Sequence, residues 1–492
     1  MVKTYLKYQL KDVLGQITGK QSKGCISHDG KILYTGCNEY VLAFDLKTAQ
    51  IVSKIKPESA ASKSQVSCIS IDKSNKQLVV GYNCGVIIIY DVEDSYKISK
   101  TFSLHKSAVT CLEFNISENL LGSGSKDTNI IIWDIIGETA LYRLTGHKDG
   151  ITKILFREMH LDSFEEGKTE ILISSAKDNT IKMWNIKSQE TIQTIADLIH
   201  KVTDFTFCQD IMLVGSYDQK LRLYQFGKGL KKEQAGGKSQ NNYFVSKGFF
   251  NRQSSAKILS INISYDEKLV SILSNDNTLE FIKILSEKEL KYRVMKADLD
   301  KNEKNEKREK LIIKEKFEEI SEKAKHLINK KDFNYKLKYY SLFKFIGESK
   351  LQSVNFARNA ASNFSSSGKI GSKNIYKFCV CLGNNSVELY ELNTSLIDQN
   401  IFYKKSFAIE EKKPDEENLS VQKVSYLESF GHRDILRHVN FSERENLFLT
   451  SSNDSVKLWN YSTLNVLKGL NIESIISAAF ILDDKFVRNI IK

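Results

Sequence analysis

Short runs of strand length, some alternating and some continuously apolar, fill most of the chain and are separated by turn residues. Many end in an aromatic followed by Asp or Asn: Phe44-Asp45, Tyr90-Asp91, Trp133-Asp134, Trp184-Asn185 and Trp459-Asn460. Weaker copies end at Tyr224, Phe281 and Tyr390. These aromatics are spaced by 46, 43, 51, 40, 57, 109 and 69 residues. The short steps match the period of about 40–45 residues expected of a four-stranded propeller blade, and the long ones must hold insertions. The pattern predicts an all-β propeller with blades over 24–46, 66–92, 109–135, 151–186, 202–226, 258–284 and 350–392. Residues 5–14 alternate well enough to form a strand that helps close the ring.

Within a unit the chemistry is regular. A small-residue strand, a turn and an apolar strand follow one another in LGSGSKDTNIIIWD (121–134) and LISSAKDNTIKMWN (172–185). Asp127 and Asp178 sit six residues before Trp133 and Trp184, and Asp454 sits five before Trp459. Asp in a tight turn bonds its own backbone and tolerates unusual dihedrals. A histidine leads each of these units: His105, His147 and His432. This is the WD repeat by resemblance. In that family the His, a strand Ser, the turn Asp and the Trp form a buried hydrogen-bonded set that locks a blade. The resemblance assigns that role to His105, Ser123, Asp127 and Trp133, to His147, Ser174, Asp178 and Trp184, and to His432, Asp454 and Trp459. A catalytic His–Ser–Asp set is needed once per protein, whereas a structural lock is needed in every blade, so the recurrence argues against catalysis.

Three insertions interrupt the rhythm. Residues 157–169 separate two strands of the fourth unit. Residues 227–256 read as a basic loop rich in Gly, Ser and Asn, carrying Lys228, Lys231, Lys232, Lys238, Lys247 and Arg252 beside Phe249 and Phe250. Cations interleaved with aromatics suit RNA backbone and base contacts, and a surface loop with a small docking patch is the plainer reading. Residues 286–340 crowd charges of both signs with few turn formers and read as a helical pair supported by i,i+4 ion pairs. Leu311, Ile312, Phe317, Ile320, Ala324, Leu327 and Ile328 give it a partial apolar stripe, for a partner or for its own propeller.

Residues 393–422 read as a charged linker, after which 423–492 hold one full unit and part of the next. One blade and one strand cannot close a ring, so the expectation is the beginning of a second propeller in a longer protein. Docking of 423–492 onto the first ring or onto another chain are the alternatives.

Composition adds two points. Lys and Arg outnumber Asp and Glu by 72 to 60, a formal net charge of +12, which suits phosphate-bearing partners. The eight cysteines form no CxxC pair and mostly sit within apolar runs, reading as core residues of a reducing compartment. No cofactor, metal or small-molecule site is expected: nucleophile-elbow, P-loop and GxGxxG motifs do not occur. No stretch approaches the roughly 18 apolar residues of a membrane helix, and the opening MVKTYLKYQLKDVLGQ has no apolar signal core.

The third and fourth units carry a finer resemblance. LGSGSKDTNIIIWDIIGETALYRLTGHKDGIT (121–152), the opening YLKYQLKDVLGQITG (5–19), NNSVELYELN (384–393) and GHRDILRHVNFS (431–442) fit one family in the same order. The chain resembles the WD-repeat subunit of the UTP-B subcomplex of the small-subunit processome, the WD repeat-containing protein three family. That resemblance implies a non-catalytic nucleolar scaffold that helps assemble the U three snoRNP on pre-ribosomal RNA for maturation of the small-subunit (18S-type) RNA. It implies other processome subunits as partners, contact with pre-rRNA or snoRNA, two propellers, and a C-terminal helical domain that pairs with a sister subunit. Most of the second propeller and all of that helical domain have no counterpart in these 492 residues. The competing reading is a general WD-repeat adaptor, such as a ubiquitin-ligase substrate receptor.

Overall fold

A computed structural model gives the architecture for residues 18–19, 24–48, 50–57, 64–159, 169–232, 240–285, 290, 339–347, 349–357, 375–393, 421–427, 431–442, 446–460, 462–463, 465–471, 475–481 and 486–491. Among these, seven four-stranded antiparallel sheets follow one another in sequence, over 25–55, 66–102, 109–144, 151–195, 202–251, 258–346 and 351–427. An eighth four-stranded sheet spans 436–471, and Ile475–Ile481 pairs with Phe486–Ile491 in a two-stranded sheet.

The first strands of neighbouring sheets lie side by side around a closed circuit: Cys25–Ile26, Val66–Ile71, Val109–Phe114, Ile151–Met159, Val202–Cys208, Ile258–Ile263, Leu351–Phe356 and back to Cys25–Ile26. The seven sheets are therefore blades radiating from a common axis. Position in the blade explains the composition of each strand. The middle strands are covered on both faces by neighbouring blades, so Gln77–Tyr82 and Ile87–Asp91 are buried almost throughout and read QLVVGY and IIIYD, without alternation. The outermost strands border solvent and are mostly exposed, with alternation in Lys97–Phe102 and little in Glu190–Ile195. Clusters pair adjacent blades: Val79, Ile87 and Ile89 pack with Leu121, Ile131 and Trp133.

The turn between second and third strands needs a left-handed residue. Asn38, Thr128, Asn179, Asn277 and Asn385 have φ between 47° and 70° there, and Gly85 has φ 90°. A Cβ on Gly85 would fall 2.4 Å from the His105 carbonyl oxygen, so glycine is required at that blade.

Around the axis, first strands are tied across blade boundaries. Cys68 Sγ donates to Val109 O at 3.6 Å and Thr110 Oγ1 to Ile151 O at 2.7 Å. Lys153 pairs with Asp204 at 2.8 Å, and Ile261 N donates to Asp204 Oδ2 at 2.9 Å. Asn262 Nδ2 donates to Val354 O at 2.7 Å, and Asn355 Nδ2 to Gly24 O at 2.6 Å. The last contact belongs to the seam between seventh and first blades. Gly24 N donates there to Ser353 Oγ, and Thr18 reaches Asn385 Oδ1 and Leu382 O. Leu33, Cys37, Tyr40, Leu42 and Phe44 pack on Cys379, Cys381 and Val387 across it.

Several boundaries differ from those expected. Each predicted blade left out its outer strand, because that strand alternates weakly and carries no motif. Residues 227–256 are not a loop inserted beyond the blade: Lys220–Lys232 pairs with Gln240–Asn251 as a hairpin completing the fifth sheet. The expected insertion 286–340 ends inside Tyr339–Ile346, the outer strand of the sixth sheet. Val421–Leu427 pairs with Val387–Asn393, so the seventh blade runs to 427, past the predicted linker 393–422. The expected strand at 5–14 and the expected helical pair lie outside the described residues.

Asp204→Ala leaves Lys153 and two backbone amides unsatisfied and should cost roughly 3–5 kcal/mol in urea unfolding. Asn355→Ala at the seam should cost about 1–3 kcal/mol, and a change below 0.5 kcal/mol would show that the seam is held elsewhere.

Candidate functional site

The repeated polar side chains come together where the motif placed them. Ser123 sits on Leu120–Ser125, Trp133 on Ile130–Asp134, Asp127 in the turn between them, and His105 in the connection entering the third blade. His105 Nδ1 lies 3.0 Å from Asp127 Oδ2 and Nε2 lies 2.8 Å from Ser123 Oγ. Trp133 Nε1 donates to the same Ser123 Oγ at 2.8 Å. Satisfying each atom once puts the histidine proton on Nδ1 toward Asp127, leaving Nε2 to accept from the serine hydroxyl. The fourth blade repeats the set: His147 Nδ1 to Asp178 at 2.9 Å, Nε2 to Ser174 Oγ at 2.8 Å, and Trp184 Nε1 to Ser174 Oγ at 2.8 Å.

Burial and hydrogen bonding divide the electrostatics. Burial lowers the His105 pKa against the pull of Asp127, favouring the neutral ring. Burial works to raise the Asp127 carboxyl, but the Lys106 and Asn129 amides and His105 outweigh it and hold it below the usual range. Asp178 is likewise held low, with His147, the Lys148 amide and Thr180 overcoming its burial. His105, Ser123 and Trp133 are almost wholly buried, and Trp133 stacks on Phe102 at 4.6 Å. No substrate can reach the serine hydroxyl, which already serves two partners.

The eighth sheet builds the set differently. His432 Nε2 meets Thr450 Oγ1 at 2.6 Å, and Trp459 Nε1 donates to Thr450 Oγ1 at 2.7 Å. The turn is one residue shorter here, so His432 Nδ1 meets Ser455 Oγ at 2.9 Å and stands 3.7 Å from Asp454. Asp454 keeps the backbone contact of the other sets, accepting from Arg433 N. Thr450 and Ser455 escaped the sequence reading; their signal was the shortened spacing from Asp454 to Trp459. Other blades use other pairs at the equivalent aromatic: Tyr82 with Tyr90 at 3.1 Å, and Tyr224 donating to Asp197 at 2.9 Å.

A second recurrent contact carries no sequence motif. A polar side chain from the first turn of one blade, or from the start of its second strand at Glu170, accepts a backbone N–H of the blade before it: His28 to Asn75, Lys73 to Glu118, Ile116 to Glu170 and Gln209 to Glu267.

The basic residues of 227–256 divide. Lys228, Lys231 and Lys232 lie on Lys220–Lys232, and Lys238 is outside the described residues. Lys247 is half-buried on Gln240–Asn251. Arg252 departs from the expected RNA contact. Its guanidinium donates to Gln219 O, Ser274 Oγ and Ala256 O, which uses it as a brace between the fifth and sixth blades.

Glu113, on the axis-facing strand Val109–Phe114, has its pKa pushed up to about 7 by burial, against the opposing pull of Lys153 and Lys73. Burial raises the Cys25 thiol to about 12 and the Cys381 thiol to about 11, so neither offers a thiolate near neutral pH. Among the described residues no group of three or more His, Cys, Asp or Glu is placed to hold a metal ion, and no helix is long and apolar enough to cross a membrane.

The ring of four-stranded sheets and the repeated histidine-centred sets define the class: this is a WD-repeat β-propeller. Residues 424–460 match the family described as WD domain, G-beta repeat, and residues 31–226 match the WDR3 first beta-propeller domain. Over that span the chain resembles the first propeller of WDR3-type WD-repeat proteins. It is 26% identical over 483 residues to U3 small nucleolar RNA-associated protein 12 of Saccharomyces cerevisiae, a match covering 94% of this chain and 45% of that protein. The chain thus spans less than half the length of this relative. A shorter match, 28% identical over 130 residues, is to the DDB1- and CUL4-associated factor 11 homolog of Caenorhabditis elegans, covering 25% of this chain and 21% of that protein. A chain in the crystal structure of the mitotic checkpoint complex aligns with a TM-score of 0.51 at 12% identity, over 80% of this chain and 96% of that one, a likeness of fold alone.

Ser123→Ala or Ser174→Ala strands a tryptophan N–H and a histidine nitrogen and should each cost about 1–3 kcal/mol in chemical denaturation. Acid acts in two directions. His105 and His432 resist protonation when folded, so their contribution is present above the unfolded value of 6.5 and lost as pH falls below it. Glu113 binds its proton more readily folded than unfolded, so its contribution grows as pH falls from 7 toward 4.5. Melting curves from pH 7.5 to 5 should therefore show a steeper acid loss in Glu113→Gln than in the natural protein. Parallel curves would remove Glu113 from the account.

Proposed function

We propose that this chain is a non-catalytic propeller platform of ribosome biogenesis. It acts within the small-subunit processome, in the nucleolus, where the U three snoRNP is assembled on pre-ribosomal RNA for maturation of the 18S-type RNA. The observation that carries this reading is the extent of one resemblance. The match to the U3 small nucleolar RNA-associated protein runs over 94% of the chain, propeller and eighth sheet together, whereas a generic WD match covers a few blades. The chemistry supports the absence of catalysis. The polar sets are buried and saturated with their own partners, so they serve as blade locks and the working surfaces are loops and faces.

In this reading residues 1–427 form the first propeller and 431–491 begin a second. The partners are other processome subunits and pre-rRNA or snoRNA. Direct RNA contact is assigned to Lys228, Lys231, Lys232, Lys238 and Lys247, with Arg252 excluded by its three protein acceptors. The second reading, a ubiquitin-ligase adaptor, rests on the shorter match to a cullin-associated factor.

Affinity purification of the tagged chain should recover processome proteins together with U3-type snoRNA. Recovery of cullin-ligase components without them would replace the proposal with the adaptor reading. Reversing Lys231, Lys232 and Lys238 to Glu should weaken RNA binding and flatten its salt dependence by about one unit of slope per lost phosphate contact, read by fluorescence anisotropy. An unchanged slope would assign this hairpin to protein docking.

A further inference from the structure

In an antiparallel meander, alternate connections emerge at the same end. One face of the ring therefore carries the connections between blades and the turns between second and third strands. The other carries the first and third turns of each blade. The long connections 160–168, 233–239, 285–338, 357–374 and 394–420 all join first to second or third to fourth strands, so all leave from the second face, in the fourth to seventh blades. The first face has only short connections over the same arc, such as 196–201, 217–219 and 252–257.

On that short-loop face lies a cavity of about 530 Å³, lined by Ile199, His200, Tyr217, Lys220, Arg222 and Lys257 together with Asp218, Gln219 and Ser255. Its rim is apolar and its walls are basic. Ile199 is 76% exposed and Tyr217 42%, and both line this cavity. Asp218 is the cavity's one carboxylate, and it is spent within the blade on Ser216, the Lys220 amide and Arg222 at 3.1 Å. The charges of Lys220 and Lys257 have no other acid of the cavity facing them. Lys257 Nζ sits 4.7 Å over the Tyr217 ring and Lys220 Nζ 4.1 Å over Phe249, poses that keep both ammonium groups at the surface.

We propose that this cavity docks an acidic segment of a partner protein. An aliphatic or aromatic side chain of the segment enters against Ile199 and Tyr217, and its carboxylates face Lys220 and Lys257. Charge complementarity selects the acidic occupant. A protein segment is favoured over RNA because the Tyr217 ring face that a base would stack on is occupied by Lys257, and because Ile199 offers dry aliphatic contact with no use for a phosphate. The surface is independent of the ribosome-assembly reading and of the basic hairpin on the opposite face.

The full chain is tested by fluorescence anisotropy against three probes: a labelled synthetic peptide alternating glutamate with leucine and phenylalanine, the same peptide with lysine for glutamate, and a labelled oligouridine. The acidic peptide is expected to bind, and Lys257→Glu and Ile199→Asp should each weaken it roughly tenfold or more. Ile136→Asp, an equally exposed apolar site on the other face, should leave it unchanged. All three positions are exposed, so melting temperatures should match the natural protein and a loss of binding cannot be a loss of fold. Acidic and basic peptides binding alike would overturn the proposal. So would full affinity in both cavity variants, or loss of oligouridine binding in them without an effect on the peptide.

Discussion

A four-stranded sheet whose middle strands are apolar on both faces cannot exist alone. Ile87–Asp91 and Ile130–Asp134 each need cover on two sides, and a row of such sheets always ends in two uncovered faces unless it bends back on itself. Closing the row into a ring solves this, and the hydrogen bonds between first strands set the spacing at which it closes. Cys68, Thr110, Lys153 with Asp204, Asn262 and Asn355 each hand a contact to the next blade, so the axis is a circuit of local commitments. The histidine-centred sets act one layer further out. They fix the entry loop of a blade to its own second and third strands, so the apolar faces arrive at the ring already in register.

This division explains what could be read from sequence. Ser123, Asp127 and Trp133 lie within one hairpin, and His105 is 18 residues before Ser123, so a repeating motif exposes them. Short of the seam, the contacts between blades described above join residues 41 to 92 apart through a side chain of no fixed type, Asn75 in one place and Glu170 in another. No local pattern marks such a partner. The outer strands were missed for a related reason. Half of each faces solvent, and after long connections the chain gives no cue where pairing resumes, so by sequence Gln240–Asn251 resembles loop and Val421–Leu427 straddles a linker boundary. Arg252 shows the converse error. A cation among glycines and aromatics resembles a nucleic-acid contact until its acceptors are seen to be carbonyls of its own propeller.

The two faces of the ring differ in what they can offer. One receives every long connection of the fourth to seventh blades, including the basic hairpin. The other is trimmed and holds the tightly bonded entry loops, with Ile199 and Tyr217 standing out among basic side chains. A platform built this way can hold two unlike partners at once without competition between them, because the rigid blades keep the two surfaces apart.

The seam carries a consequence for how the molecule is made. Its contacts join residues 329 to 367 positions apart, between Thr18 or Gly24 and the seventh blade, and among the described residues no strand is shared across it. On the ribosome, the first blade is complete long before its neighbour on that side exists. Leu33, Leu42 and Phe44 therefore stay uncovered through the translation of most of the propeller, since Cys379, Cys381 and Val387 come last. The nascent chain presents a sticky flank for that whole interval, and the time between its first and seventh blades sets how long a chaperone must shield it.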